Sequence, residues 1–200
     1  MQSKNFAAVD IGTNSFHLII VKVEENNSLT ILDREKEVIR LGSERGNELS
    51  FISEDEIERG INVLKKFKKL SELYYAQLHA VATSAVREAN NRKEFLDKVF
   101  NSTGINIEVI DGSKEAEYIY KGVRKALPLN KRLLCFDIGG GSSEFILGMN
   151  DEIIYGESIK IGAVRLSKKF FPDFIITDER IEKCKDYIEQ QIKANPKINL

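Results

Sequence analysis

Apolar and polar positions fall into a recurring order near the start of the chain. Phe6 to Val9 is a short apolar run that ends in Asp10-Ile11-Gly12, and Thr13-Asn14-Ser15 separates it from a second run, Phe16 to Val23. Turn-forming residues between two runs of strand-forming residues predict a β-hairpin. Residues 29–32 and 35–41 predict two more strands of the same antiparallel meander. The period then changes from two to 3.6. Ser53 followed by Glu56 is a capping box, and behind it Ile57, Ile61, Leu64, Phe67 and Leu70 keep one helical face. Lys65, Lys66, Lys68 and Lys69 occupy the other faces, the pattern of a solvated surface rather than a nucleic-acid contact.

Residues 78–82 predict a buried strand, running into Thr83-Ser84-Ala85-Val86-Arg87 with Arg87 in a loop. A helix over 93–100, a strand over 105–110 and a helix over 113–125 follow. Such alternation predicts a mixed sheet with a parallel portion and helices on its faces. Leu127-Pro128-Leu129-Asn130-Lys131-Arg132 interrupts both periods, so two domains are expected, 1–126 and 127–200. In the second, a hairpin is followed by a strand over 152–160 and a helix over 163–171 that Pro172 stops. A last helix opens at Thr177-Asp178-Glu179 and carries Ile181, Cys184, Ile188 and Ile192. That half is too short to repeat the whole plan of the first.

The second hairpin repeats the first. Leu133 to Phe136 runs into Asp137-Ile138-Gly139, then Gly140-Gly141-Ser142-Ser143, then Glu144 and the apolar run Phe145 to Leu147. Asp10-Ile11-Gly12 thus recurs as Asp137-Ile138-Gly139, 127 residues on, and a duplicated domain explains the match better than coincidence. Bare glycine backbone and small hydroxyls suit an anion, so Gly12, Thr13, Asn14, Ser15, Gly139, Gly140, Gly141, Ser142 and Ser143 are candidate phosphate contacts. An ordinary hairpin turn uses the same residues. Asp137 and Glu144 flank the second turn as a carboxylate pair suited to a divalent cation or a water, and Asp10 is either a ligand or a turn cap.

Composition narrows the partners. Thirty basic residues face 31 acidic ones, a net charge of −1, so no general field draws the chain to nucleic acid or membrane, and polyanion binding needs a local site. The two cysteines, Cys135 and Cys184, form no ligand pattern, and Cys135 reads as core. No apolar run approaches bilayer length and none resembles a secretion signal, so a cytoplasmic protein is expected. Glu115, at a strand-to-helix junction, reads from periodicity as a first-turn glutamate favoured by the helix dipole. Arg87 is either a phosphate clamp or a surface ion pair, and His17 and His79 read as packing or surface residues.

Together these motifs resemble the exopolyphosphatase / guanosine pentaphosphate phosphohydrolase family of the actin-like ATPase superfamily. The resemblance rests on Asp10-Ile11-Gly12-Thr13-Asn14-Ser15, Ala82-Thr83-Ser84-Ala85-Val86-Arg87, Ile110-Asp111-Gly112-Ser113-Lys114-Glu115-Ala116, Asp137 to Glu144 and Gly162-Ala163-Val164-Arg165-Leu166. It implies an α/β protein of two ribonuclease-H-like domains, each a mixed five-stranded sheet flanked by helices, with a cleft between them and the second stopping short. It also implies hydrolysis of a terminal phosphate of polyphosphate or guanosine pentaphosphate with magnesium. Glu115 then stands where the family has its water-activating base, which displaces the helix-dipole reading. Asp137 and Glu144 stand as catalytic metal and water ligands, and Arg87 as a phosphate contact. Lys114 departs from the family's glutamate, and family members continue well past this chain's length. The rivals are a kinase or ATPase of the same superfamily and a non-catalytic polyphosphate or alarmone binder. A homodimer is compatible with all three.

Overall fold

The computed structural model describes residues 4–42, 51–127 and 130–195, so Pro128 and Leu129 of the expected linker lie outside the described residues. The chain divides into two compact units, Met1–Ile110 and Asp111–Leu200.

The first unit holds β1 (Lys4–Ile11), β2 (Ser15–Val23), β3 (Leu29–Val38), α1 (Glu54–Leu73), β4 (Gln77–Ala82), α2 (Ser84–Glu88), α3 (Arg92–Thr103) and β5 (Ile107–Val109). They form a five-stranded sheet in the order β3-β2-β1-β4-β5. The β1–β2 and β2–β3 pairs are antiparallel, while β1–β4 and β4–β5 are parallel. Alternate residues Ala7, Val9 and Ile11 of β1, and Phe16, Leu18 and Ile20 of β2, are buried with Leu64 and Phe67 of α1 and Phe95 and Val99 of α3. Each large side chain among them contributes roughly 1.5–3 kcal/mol by leaving water. Gly60 lets α1 come close: a Cβ there would stand 3.4 Å from the Phe16 ring. The capping box forms as expected, with the Ser53 backbone N–H donating to Glu56 Oε2 at 2.7 Å and the Glu56 N–H to Ser53 Oγ at 3.3 Å.

Two expectations change here. The pair of strands expected over 29–32 and 35–41 is one strand, β3. Its register against β2 shifts between Ile20 and Val21, leaving Leu32 as the extra residue of a bulge, so the polar Asp33-Arg34 step bends the strand instead of ending it. Arg87 is not in a loop but on the short helix α2.

The second unit holds α4 (Gly112–Ala126), β6 (Arg132–Ile138), β7 (Ser143–Met149), β8 (Glu152–Ile159), α5 (Ala163–Phe170) and α6 (Asp178–Lys193). Its three strands form an antiparallel sheet in chain order. Helix α4 covers one face: Ala116 and Tyr120, with Ile119 and Val123, pack on Leu133, Cys135 and Ile146. Cys135 is core, as its apolar strand predicts. The domain boundary expected at 126/127 therefore moves to 110/111, because the apolar stripe of α4 finds its partner in the sheet that follows it. On the opposite face Leu134, Phe136 and Ile138 are exposed. Helix α6 opens at Thr177 as expected, and its Tyr187 ring lies 5.5 Å from Phe170 of α5. No described helix is long and apolar enough to cross a membrane.

Candidate active site

The two hairpin turns are closed alike. Gly12 N–H donates to Ser15 O at 3.2 Å, and Gly139 N–H donates to Ser142 O at 3.0 Å. Each leaves four residues between the last paired positions, Ile11 with Phe16 and Ile138 with Ser143, so the Asp-Ile-Gly repeat in sequence is a repeat in conformation. The turns differ in what holds them from behind. In the first, Asn14 O accepts from Ile39 N at 3.0 Å and Arg40 N at 2.9 Å, and the Thr13 hydroxyl is bonded to Ser84 Oγ at 2.9 Å. In the second, backbone groups of residues 162–165 donate to the carbonyls of Gly139, Gly140 and Gly141.

That difference fixes which edge of the second turn is available. Each trans peptide carries its C=O and its N–H on opposite sides. With the carbonyls of Gly139, Gly140 and Gly141 directed at the start of α5, the N–H groups of Gly140, Gly141 and Ser142 leave on the far side. Successive amides aimed one way form a concavity for an anion.

The carboxylates gather beside this turn. Register places Asp137 opposite Glu144 across β6 and β7, and Ser158 opposite Glu144 across β7 and β8. Directly opposed residues share a face, so Asp137, Glu144 and Ser158 make one row. It is the face that α4 covers. Gly112, the first residue of α4, abuts the row: a Cβ there would stand 2.6 Å from Ser158 Cβ. Asp111 caps the helix by accepting from Lys114 N at 2.8 Å, which sets half-buried Glu115 in its first turn. Glu144 itself is only 2% exposed. The Ser158 hydroxyl donates to Glu144 Oε1 at 2.7 Å. Burial above all pushes the Glu144 carboxyl up to about 7, and the Glu115 and Asp137 carboxylates add to this against the hydrogen bonds from Ser158 and Ser142. Glu115, which sequence placed apart from the Asp137–Glu144 pair, thus acts with Asp137 on Glu144 within a single unit.

Other candidates stand elsewhere. Ser143 is buried and its hydroxyl donates to Ile161 O at 3.3 Å, so that hydroxyl is turned away from the turn's free edge. Asp10 is exposed on β1 in the first unit, opposite His17. Arg87 donates from Nη1 to Ile110 O at 2.9 Å, holding the backbone just ahead of Asp111. His17 bonds Ser15 Oγ through Nε2 at 2.8 Å, and burial followed by the Lys36 charge lowers its pKa. His79 is a surface residue, its ring tilted 6.4 Å from Phe6.

Sequence reading passed over two features. His17 occupies in the first hairpin the place of Glu144 in the second, and the offset of 127 that matched the aspartates also matches this pair. Ser158 carries no motif, and only strand register joins it to the carboxylates.

The chain belongs to the Ppx/GppA phosphatase family, whose sequence profile matches residues 19–198. It is 38% identical over 199 residues to a bifunctional 3-dehydroquinate synthase/phosphatase of Fusobacterium nucleatum, covering 94% of this chain and 30% of that protein. A putative exopolyphosphatase of Haemophilus influenzae is 34% identical over 191 residues, covering 95% of this chain and 58% of that protein. Among solved structures, an exopolyphosphatase from Cytophaga hutchinsonii superposes with a TM-score of 0.88 at 34% identity, over 98% of this chain and 63% of that one. The chain therefore shares the actin-like fold of the family and spans less than two thirds of the length of these relatives.

Proposed function

We propose that the chain carries the phosphate-cleaving centre of an exopolyphosphatase-like hydrolase, acting on the terminal phosphoanhydride of inorganic polyphosphate or guanosine pentaphosphate. The observation that carries this reading is the meeting of Glu115, Asp137 and Glu144 beside the 139–142 turn. The turn's amides would hold the terminal phosphate and the charge that builds on its oxygens as the bond to the leaving phosphate breaks. Glu115, on the first turn of α4, would accept the proton of the attacking water as the new P–O bond forms. The bridging oxygen leaves with its electron pair on the shortened chain. Arg87 would contribute by holding the backbone ahead of Asp111.

The residues also fit a magnesium ion. Asp137 and Glu144 form a cross-strand carboxylate pair, and a divalent cation would offset the burial and the Glu115 and Asp137 charges that disfavour an ionised Glu144. Among the described residues no group of three or more His, Cys, Asp or Glu side chains is arranged to hold a metal by itself. Magnesium suits such a site because it takes few protein ligands and keeps several waters. Bound there, it would neutralise phosphate charge during transfer.

Glu115→Gln tests the assignment. Phosphate release from tripolyphosphate or guanosine pentaphosphate is expected to fall at least a hundredfold, as for loss of a general base, while polyphosphate binding stays within about threefold of wild type, less than 1 kcal/mol. Wild-type turnover by this variant removes Glu115 from the mechanism. Tight binding by the wild-type chain with no turnover in magnesium selects the non-catalytic reading, and ATP-dependent phosphorylation of an acceptor selects the kinase.

A further inference from the structure

We propose that Arg165, with Gly162, is a positioning residue that orients the Gly141–Ser142 peptide for phosphate, an inference that rests on the phosphate reading of the 139–142 turn. The start of α5 is spent on that turn. Ala163 N–H donates to Gly139 O at 2.9 Å, and Val164 and Arg165 N–H donate to Gly140 O at 2.9 and 3.1 Å. Helix N-termini ordinarily leave these groups to solvent or a ligand. Here they bind the turn's carbonyls, and the turn presents its own N–H groups in their place.

The third peptide is held differently. Gly141 O lies 3.4 Å from its backbone donor, Gly162 N, a long contact, but 2.8 Å from Arg165 Nε. A guanidinium is always protonated, so this is the stronger, charge-assisted bond. Glycine at 141 leaves the peptide free to rotate unless its carbonyl is fixed, so the Ser142 N–H depends on Arg165 for its direction. Gly162 is needed for the approach: a Cβ there would stand 2.4 Å from Gly140 C and 2.5 Å from Gly141 C. Its backbone angles are ordinary extended ones, so the requirement is space rather than conformation.

The test separates geometry from charge. A glutamine side chain places its amide nitrogen as many bonds from the backbone as arginine places Nε, without the charge; lysine keeps the charge without that donor. The full 200-residue chain, labelled with nitrogen-15, is titrated with tripolyphosphate while amide resonances are followed. In wild type the Gly140, Gly141 and Ser142 amide protons are expected to move downfield together and saturate. In Arg165→Ala the Ser142 response is lost and affinity falls about tenfold, the scale of one hydrogen bond to a charged group. Arg165→Gln restores both to within about threefold of wild type, whereas Arg165→Lys does not. Restoration by lysine and not by glutamine overturns the inference, because Arg165 then acts on phosphate through its charge. A wild-type chain whose three amides ignore tripolyphosphate overturns the inference and the phosphate reading together. A normal wild-type response that survives unchanged in Arg165→Ala overturns the inference alone.

Discussion

Buried at 2% exposure, between Asp137 across the strand and Glu115 on the helix, Glu144 keeps its proton to about pH 7. The consequence for stability has a definite sign. The native state holds the proton more tightly than the unfolded chain, whose glutamate titrates near 4.5. Below pH 4.5 both states are protonated and the native state carries no burden. Between 4.5 and 7 only the unfolded state ionises, so stability falls as pH rises, by roughly 3 kcal/mol in all, and then levels off. Urea denaturation of the metal-free chain from pH 4 to 8 should show this decline, and Glu144→Gln should flatten it and be the more stable protein at pH 8. An unchanged slope in the variant would place the titration on another group. At this scale the carboxylate pair was legible, since a separation of seven positions around a four-residue turn puts Asp137 opposite Glu144. Ser158 was not, because it reaches Glu144 from a third strand whose register no local pattern states. Nor was the engagement of the Thr13 hydroxyl by Ser84, which lies 71 positions away.

Helix α4 carries Glu115, so its seating on the second sheet decides where that carboxylate stands. Two glycines admit it: Gly112, beside Ser158, is joined by Gly148, where a Cβ would stand 2.3 Å from Cζ of Tyr120. Tyr120 is fully buried there and its hydroxyl donates to Asn150 O at 2.9 Å. Gly148→Ala must displace the ring, at an expected cost of about 1–3 kcal/mol in urea denaturation. Combining it with Tyr120→Leu, which removes the clashing ring, should cost clearly less than the sum of the two single changes. Full additivity would mean that the ring and residue 148 do not compete for space. Caps made the helices readable from sequence, since Ser53 and Thr177 hold side-chain caps where they were expected. The strand β3 was misread because a bulge at Leu32 and a true turn both place polar residues after an apolar run. An amphipathic stripe also states that a helix is covered on one side without stating by which sheet.

The division of the whole molecule follows from that last ambiguity. The first unit has a complete five-stranded sheet and a core running from Ala7 to Ile107, whereas in the second the fully covered apolar cluster is Ala116, Tyr120, Cys135 and Ile146. The order of elements and the repeated Asp-Ile-Gly hairpin were sufficient to read a mixed sheet and a duplicated plan, because each is a local pattern, while the actin-like frame was implied by the family resemblance of the motifs. The domain limit was not legible, since it depends on which of two sheets α4 buries its stripe against. Two shortened chains distinguish the alternatives. Residues 1–110 keep every element of the first sheet and its helices, and should unfold in one cooperative transition. Residues 1–126 add α4 with Ala116, Ile119, Tyr120 and Val123 but without the sheet that covers them. That chain should gain no stability over 1–110, bind more of a dye that reports exposed apolar surface, and associate more readily with concentration. If 1–126 instead proves the more stable and no more dye-reactive, α4 has a partner in the first unit, and Glu115 would then be positioned by that unit rather than by the row of Asp137, Glu144 and Ser158.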